Sequence, residues 1–379
     1  MNKTFEWIVG LVVLIVLIFW GYSVLKGPSV PASTEPIKIG FSAPLTGGAA
    51  EWGLPIKDGA EIALNKINSE GGINGRKLEL VFEDDKCDGK EAVTAATKLI
   101  NFDKVPAILG SVCSSAALAI APLGESNKVV LLSAGASAPS MRAAGDYTFS
   151  IYPPDDYESG YSATFAYDKL GKRKAAILYA NNDYGKGTKD VAEKKFKEKG
   201  GEVVAEESYV QDSGDFRNQL LKIKKSSADV LFIWGNPGDA VTIFKEMKEI
   251  GINIQVITSS VIIEGDVFKD NRDIIEGVTY SLPETDMTQS YSYLKAEYLK
   301  KFNKTEMSLF PTLGYDVVTL IANAMKKVGT NPTKIKDYLY TVQNFPGSSG
   351  ILSFDKDGEV AKGFNFMKVE NGQFVPYNQ

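Results

Sequence analysis

An internal repeat restricts the fold of this chain more than any other feature of its sequence. A strand-like run from Ile37 to Ala43 is followed by a loop with Trp52-Gly53, a helix, a second strand after Gly71-Gly72 and an acidic loop. The same order of elements returns from Ala175, with Tyr184-Gly185 in the place of the first aromatic-glycine pair. Because two copies of one α/β unit form two lobes, the sequence predicts a cleft between them.

Each unit has the pattern of a doubly wound sheet. Its strands are continuously apolar, as in Val230 to Ile233, which is typical of parallel strands covered by helices on both faces. Its helices repeat small apolar residues at helical spacing, as in Ala60, Ala63 and Ile67. Right-handed crossovers then place every strand-to-helix loop at the same edge of the sheet. We therefore predict an α/β fold of two Rossmann-like, doubly wound lobes.

The length of 379 residues is more than one hydrophobic core usually serves. Three segments, Pro153-Pro154, Pro283 and Ser349-Gly350, mark chain crossings that would form a three-crossover hinge. The sequence thus predicts a first lobe of residues 37–153 and 284–349, and a second lobe of residues 154–283 and 350–379.

The N-terminus carries a membrane signal. Trp7 to Leu25 is a run of 19 residues without a charge, with Trp20 and Tyr22 near one end, where interfacial aromatic residues belong. The one candidate cleavage site, Val30-Pro31-Ala32, is distant and contains proline. We predict that residues 1–25 are an uncleaved single-pass transmembrane anchor in the cell membrane, that residues 26–36 are a proline-rich linker, and that the body is extracytoplasmic. A cleaved signal peptide is the alternative.

Composition excludes several functional classes. The sequence contains no histidine, which removes Ser-His-Asp triads, histidine-ligated zinc and imidazole proton shuttles. After the first strand, the loop Pro44 to Gly48 has neither a Walker nor a Rossmann glycine fingerprint. The net charge is only -5 and there is no basic run, so nothing favours a nucleic acid partner. We expect a monomer that is not an enzyme and has no cofactor or metal.

The two cysteines, Cys87 and Cys113, follow the second and the third predicted strand of the first unit. Loops in these positions emerge at the same edge of a doubly wound sheet, so a disulfide between them is geometrically reasonable. Export of the body would favour the bridge, and two buried free thiols are the alternative.

Five segments of the chain match the hallmarks of one family. They are Gly71 to Arg76, Asp84 to Asp88, Gly110 to Ser115, Leu132 to Pro139 and Phe354 to Gly358. Together they resemble the leucine/isoleucine/valine-binding proteins, the type I periplasmic substrate-binding components of ABC importers. The resemblance holds its order over residues 37–379 and implies a Venus-flytrap fold that closes on a small ligand.

The resemblance also implies a ligand site in the strand-to-helix loops. Ser114 would hold a ligand carboxylate through its hydroxyl and N–H, with Ser115 beside it at a helix N-terminus, which favours an anion. The turn Gly135-Ala136-Ser137 would receive the ammonium and the carboxylate. Trp52 and Tyr184 would be the aromatic residues that close over the ligand, one from each lobe. Without the resemblance, helix capping, a plain turn and exposed loop aromatics would explain the same residues.

The second lobe departs from the family pattern. Asn236 replaces an aromatic residue, and Ser260 stands where the family commonly has an acidic residue that pairs with the ligand ammonium. A hydroxyl cannot provide the charge-assisted bond that an ammonium requires in a desolvated cleft. Glu264 would supply it if its loop turned inward, and is otherwise a solvated surface residue. Either the ammonium is met elsewhere or the ligand is not a standard branched-chain amino acid.

The function favoured by the sequence is therefore a receptor that captures a small carboxylate-bearing ligand, above all a branched-chain amino acid, and delivers it to an ABC permease. A ligand-sensing ectodomain is a second hypothesis, for which we would expect another membrane span and a signalling domain after the body. A binder of a non-amino-acid carboxylate or amide, and an enzyme with carboxylates in the cleft, are the remaining alternatives.

Overall fold

The computed structural model of the chain describes Trp7 and residues 35–263, 266–268 and 271–377. Apart from Trp7, Glu35 and Pro36, the predicted anchor and linker lie outside these ranges. Within the described ranges, no helix combines the length and the apolar character that are needed to cross a bilayer. The body from Ile37 onward forms one compact unit.

The first half of the body is a parallel sheet with helices between its strands. The strands are β1 (Ile37–Ala43), β2 (Leu78–Asp84), β3 (Ala107–Gly110), β4 (Val130–Ser133) and β5 (Thr148–Ser150). The helices are α1 (Ala50–Ser69), α2 (Gly89–Asn101), α3 (Ser114–Asn127) and the 3-10 turn Pro139–Ala143. All strand pairs are parallel, in the order β2-β1-β3-β4-β5.

The second half begins with α4 (Asp155–Asp168) and repeats the arrangement. Its strands are β6 (Lys174–Ala180), β7 (Glu202–Tyr209), β8 (Val230–Trp234), β9 (Gln255–Ser259) and β10 (Thr279–Pro283). Its helices are α5 (Asp183–Glu198), α6 (Arg217–Lys225), α7 (Pro237–Ile250) and α8 (Ser260–Ile263), followed by 3-10 turns at Asp266–Phe268 and Arg272–Ile274. The five strands are parallel, in the order β7-β6-β8-β9-β10.

The strand order confirms the repeat and the two doubly wound lobes. In the first sheet the order reverses between β1 and β3, and in the second it reverses at the equivalent place between β6 and β8. Ligands of open α/β sheets bind beyond the carboxyl ends of the strands at such a switch point. Each lobe therefore contributes one such edge to a shared site.

The last part of the chain, from residue 289 onward, adds helices to the first lobe and strands to the second sheet. It contains α9 (Gln289–Phe302), α10 (Phe310–Val328), α11 (Pro332–Tyr340), the hairpin of β11 (Phe345–Gly347) and β12 (Gly350–Leu352), and the strands β13 (Phe364–Glu370) and β14 (Gln373–Pro376). α9 to α11 form no third lobe, because buried residues such as Leu294, Val317 and Leu339 belong to the core under the first sheet. β13 adds antiparallel to β10, and β14 adds to β13.

Close helix packing places the start of α10 beside the first lobe's binding edge. A Cβ atom at Gly314 would lie 1.9 Å from the Ile56 carbonyl oxygen, and one at Gly59 would lie 1.9 Å from the Pro311 carbonyl oxygen. Only glycine allows α10 and α1 to approach this closely. The side chains of the first turn of α10 are thereby held near the carboxyl end of β1.

The lobe boundaries remain a proposal, and the core suggests one change to them. Leu352, Phe354 and Val360 are buried in the core under the first sheet, whereas β13 pairs in the second sheet. We therefore propose that the third crossing lies between Val360 and Phe364 rather than at Ser349-Gly350, with the other boundaries as predicted.

Candidate functional site

A cavity lies between the carboxyl ends of the two sheets. It encloses about 560 Å³ of space between atoms, including its open mouth. The structure brings seven of the predicted site residues to its wall: Trp52, Ser114, Ser115, Gly135, Ser137, Tyr184 and Asn236. Their assignment as ligand-binding residues remains a prediction.

The first-lobe wall is built around the start of α3. The predicted disulfide between Cys87 and Cys113 is confirmed, with Cα atoms 5.4 Å apart, and it joins the loops after β2 and β3. Cys113 is the residue before α3, and no side chain caps the helix there. The first N–H groups of a helix have no partner within the helix. The N-terminal end of α3 therefore presents free donors at the cavity, beside Ser114 and Ser115.

Ser114 joins two loops of the first lobe. Its Oγ accepts hydrogen bonds from the N–H groups of Ser137 (3.2 Å) and Ala138 (3.1 Å). Because both bonds use the oxygen as acceptor, the hydroxyl proton of Ser114 remains available to a ligand. In the same turn, Gly135 lines the cavity, while Ala136 is buried and does not line it.

The two aromatic-glycine pairs have a common structural cause. A Cβ atom at Gly53 would lie 1.8 Å from the Pro44 carbonyl oxygen, and one at Gly185 would lie 2.1 Å from the Ala180 carbonyl oxygen. In each lobe, glycine thus lets the beginning of a helix touch the end of the preceding strand. This close approach fixes the preceding aromatic residue, Trp52 or Tyr184, at the cavity wall.

Direct hydrogen bonds hold the two lobes together around the cavity. Trp52 Nε1 donates to the Val261 carbonyl oxygen at 2.6 Å. Two further bonds cross the cleft: Asp183 N–H donates to Ser115 Oγ at 3.0 Å, and Gly48 N–H donates to an Asp212 carboxylate oxygen at 3.3 Å. The lobes are therefore in a closed arrangement, and the Ser115 hydroxyl is used in closing them.

Of Asn236, Ser260 and Glu264, the first caps a helix, the second is buried away from the cavity wall and the third is not described. Asn236 caps α7, with its Oδ1 accepting from Asp239 N–H at 2.8 Å. Ser260 is buried and does not line the cavity, and its Oγ has no hydrogen-bond partner among the described residues. Glu264 lies outside the described residues. The Tyr184 hydroxyl lies 3.3 Å from Ser259 Oγ.

Sequence reasoning missed much of the wall. Four apolar residues complete it, namely Val112, Val261, Phe310 and Leu313, and two amides, Asn182 and Gln211, face it from the second lobe. Phe310 and Leu313 lie on α10, far along the chain from the other wall residues. Their helical spacing alone could have indicated one shared face, but not which cavity that face meets.

An acidic residue behind the cavity was also missed. Asp155, the first residue of α4, is fully buried, and neither of its carboxylate oxygens has a hydrogen-bond partner among the described residues. Its N–H donates to the Ser137 carbonyl oxygen at 2.8 Å, which ties it to the turn that lines the cavity. Burial, and next the nearby Glu158, raise the pKa of Asp155 well above its usual value, and the nearby Ser137 side chain opposes this shift only in part. Burial and then the charge of Asp155 raise the pKa of Tyr184 on the cavity wall.

The neighbouring charges do not pair with Asp155. Glu158 accepts from Ser281 Oγ at 2.6 Å and from the Tyr152 hydroxyl at 3.2 Å, and burial raises its pKa to about 7. Arg142 pairs with Asp156 at 2.6 Å and with Glu359 at 2.8 Å. A buried carboxylate without a partner is costly unless it is protonated or meets a cation. Asp155 does not itself line the cavity, so it is a candidate partner for a cationic group that reaches the Ser137 turn in front of it.

Comparison with known proteins agrees with this architecture. A family model described as periplasmic binding protein matches residues 36–373. A leucine-, isoleucine-, valine-, threonine-, and alanine-binding protein of Pseudomonas aeruginosa is 27% identical over 344 residues, or 90% of this chain and 91% of that protein.

Solved structures agree as well. A leucine binding protein of Thermotoga maritima has a TM-score of 0.84 and 25% identity over 90% of this chain and 98% of its own. A branched-chain amino acid transporter substrate binding protein of Streptococcus pneumoniae, in complex with isoleucine, has a TM-score of 0.80 and 29% identity over 89% of this chain and 97% of its own.

Proposed function

The chain belongs to the periplasmic binding protein family, and from this we propose that it is an extracytoplasmic receptor that captures an amino acid between its lobes and delivers it to an ABC permease. One observation above all supports an amino acid: the uncapped start of α3 opens onto the cavity, beside the Ser114 hydroxyl. Free N–H groups and the positive end of the helix dipole favour a carboxylate at this place. The resemblance noted in the sequence is confirmed at the level of the family.

The proposal assigns the ammonium of the ligand to Asp155, which is not a residue of the cavity wall but lies directly behind the Ser137 turn of that wall. Asp155 replaces the acidic residue that is absent at Ser260, and it is supported by its burial, by its two unpartnered oxygens and by its bond to the Ser137 turn. The Gly135 carbonyl adds an acceptor, since it makes no hydrogen bond within the described part of the chain. A charge-assisted bond to a cation would remove the cost of the buried carboxylate.

The ligand side chain occupies the apolar part of the cavity. Trp52, Val112, Phe310 and Leu313 form a wall that suits a branched hydrocarbon. The Streptococcus pneumoniae relative was solved with isoleucine, and the Pseudomonas aeruginosa relative is named for leucine, isoleucine and valine among others. An amino acid with a branched side chain is thus the ligand class that we propose first, and threonine belongs to it together with leucine, isoleucine and valine.

The proposal does not include catalysis. Among the described residues, those that line the cavity include no carboxylate and no amine that would act as an acid or base on a bound compound. Closure itself requires only hydrogen bonds between the lobes, such as the one from Trp52 to Val261. We also propose that the apolar segment at residues 7–25 anchors the receptor to the outer face of a membrane, which retention of the chain in a carbonate-washed membrane fraction would test.

Calorimetry of the purified full chain with leucine, isoleucine and valine tests the function. At least one should bind, and Ser114→Ala should weaken binding strongly, because it removes a donor to the carboxylate. The matched control is Ser126→Ala, at the exposed far end of the same helix, which should leave the Kd unchanged. Because Ser114 Oγ also accepts hydrogen bonds from two backbone N–H groups, folding of both variants should be checked by circular dichroism.

Two results would contradict the proposal in different ways. If none of the three amino acids binds while another carboxylate or an amide does, the ligand class is wrong. If Ser114→Ala and Ser126→Ala bind with the same Kd, the carboxylate does not lie at the start of α3.

A further inference from the structure

Two amide side chains of the second lobe form a pair at the cavity wall. Asn182 is the residue before α5, and its Oδ1 accepts from Gly185 N–H at 2.9 Å, which caps the helix. Its Nδ2 donates to Gln211 Oε1 at 3.1 Å. Both residues line the cavity, at the ends of the neighbouring strands β6 and β7.

The helix cap fixes the orientation of both amides. Since the oxygen of Asn182 is held by Gly185, its NH2 group must face Gln211, and the oxygen of Gln211 must face Asn182. The oxygen of the Gln211 amide is thus used by Asn182, and its NH2 group is not. It donates no hydrogen bond to any described residue.

Gln211 does not use this amide to close the cleft. Its contact with the first lobe runs from Oε1 to Cys87 Sγ, at 4.0 Å. The sulfur belongs to the disulfide and has no hydrogen to donate, so this contact is not a hydrogen bond. The two N–H groups of Gln211 therefore remain donors without an acceptor among the described residues of the closed protein.

An amide donor in this position has little purpose in a purely hydrocarbon pocket. Gln211 is half-buried, and its NH2 group is not one of the fully buried polar atoms, so water can reach it while the cavity is empty. A ligand that displaced this water without offering an acceptor would leave the donor unpaired, at a cost of about 1–3 kcal/mol. The ligand carboxylate already has the start of α3 and the Ser114 hydroxyl as donors. The group that is left for Gln211 to bind is an acceptor on the ligand side chain.

We propose, on the premise of the amino acid receptor described above, that Gln211 selects ligands whose side chain carries an acceptor oxygen, such as a hydroxyl or a carbonyl, over hydrocarbon side chains of the same shape. Asn182 is a positioning residue in this scheme, because it orients Gln211 and caps α5. The apolar wall still contacts the carbon part of such a side chain, and the Gln211 amide donates a hydrogen bond to its oxygen.

Isosteric ligand pairs test this directly on the full chain. Threonine and valine differ at one γ position, and asparagine and leucine have nearly the same shape with polar or apolar ends. One hydrogen bond of about 1–1.5 kcal/mol predicts that the oxygen-bearing member of at least one pair binds roughly 5- to 10-fold more tightly. Gln211→Met should bring that ratio to about one or below, with little loss of the hydrocarbon ligand. Gln219→Met, on α6 and away from the cavity, is the matched control and should keep the wild-type ratio.

Several results would overturn the proposal. Valine and leucine could bind more tightly than threonine and asparagine to the wild-type protein, or Gln211→Met could leave the ratios unchanged. Equal losses for all four ligands in Gln211→Met would place Gln211 on the end that all amino acids share. These results leave the receptor function standing, whereas the failure of every amino acid to bind would refute the function and this proposal together.

Discussion

Replacement of Asp155 by asparagine separates ligand binding from folding. The change keeps the shape of the side chain and removes its charge, at a site where both oxygens lack a hydrogen-bond partner among the described residues. If Asp155 meets the ligand ammonium, the variant loses a hydrogen bond to a charged group, worth about 1.5–3 kcal/mol. The expected loss of affinity for leucine is roughly 10- to 150-fold in Kd.

The same substitution should affect the ligand-free protein in the opposite direction. Burial raises the pKa of Asp155 above its unfolded value of 3.8, so the folded protein binds a proton that the unfolded chain has released. The stability from this proton is complete below the unfolded pKa and is lost as the pH rises through the folded pKa. Asparagine does not titrate, so the Asp155→Asn variant does not lose stability in this way as the pH rises. Its melting temperature without ligand should therefore exceed that of the wild type at pH 8, by a margin that shrinks at pH 5.

Binding of an ammonium beside Asp155 should release a proton. Calorimetry in two buffers with different ionisation enthalpies measures this release, which we expect for the wild type and not for Asp155→Asn. Asp156→Asn is the matched control, because Asp156 pairs with Arg142 instead. A Kd for Asp155→Asn within about twofold of the Asp156→Asn value would refute the ammonium site, since a lost charged bond costs more than that.

Three further predictions follow from contacts around the cavity. Trp52→Phe keeps an aromatic ring, although a smaller one, and loses the bond to the second lobe, so ligand dissociation followed by stopped-flow fluorescence should be faster by about 2- to 10-fold; an unchanged rate would mean that this bond does not hold the closed state. Gly53→Ala should lower the free energy of urea unfolding by about 1–3 kcal/mol through overpacking, whereas Gly160→Ala, at a position of α4 where a Cβ atom would lie 3.8 Å from Val191 Cγ1 in ordinary contact, should be neutral or stabilising; equal effects would contradict the close approach at Gly53. Reduction of the Cys87–Cys113 disulfide should lower the free energy of unfolding by about 3–4 kcal/mol and weaken leucine binding, because it frees the residue before α3; reduction without either effect would contradict its role in positioning the site.

The sequence predicts the parts of the fold that depend on local pattern. The repeat predicts the same strand order in both sheets, which is what the structure has, because each strand-helix unit folds by the same crossover rule. The Cys87–Cys113 bridge is predicted for the same reason, since both residues follow strands that end at one edge. Trp52 and Tyr184 reach the cavity because each precedes a glycine in close contact with a strand end.

The parts that escape prediction depend on long-range packing. Asp155 belongs to an acidic first turn, which in sequence is typical of a solvated helix start, and only the crossing of the chain behind the cavity buries it. Phe310 and Leu313 reach the wall only because α10 packs tightly on α1. Ser260 was singled out by its position along the chain, yet the turn after β9 places it under the surface of the cavity.

The most direct measurement of the central claim is the affinity of the full chain for leucine and for its two singly charged analogues, 4-methylpentanoate and 3-methylbutylamine. Both ends of the ligand have a proposed partner, the start of α3 for the carboxylate and Asp155 for the ammonium. Loss of either end should therefore weaken binding by roughly 10- to 150-fold relative to leucine. Binding of 4-methylpentanoate as tight as that of leucine would contradict the assignment of Asp155 and the identification of the ligand as an amino acid.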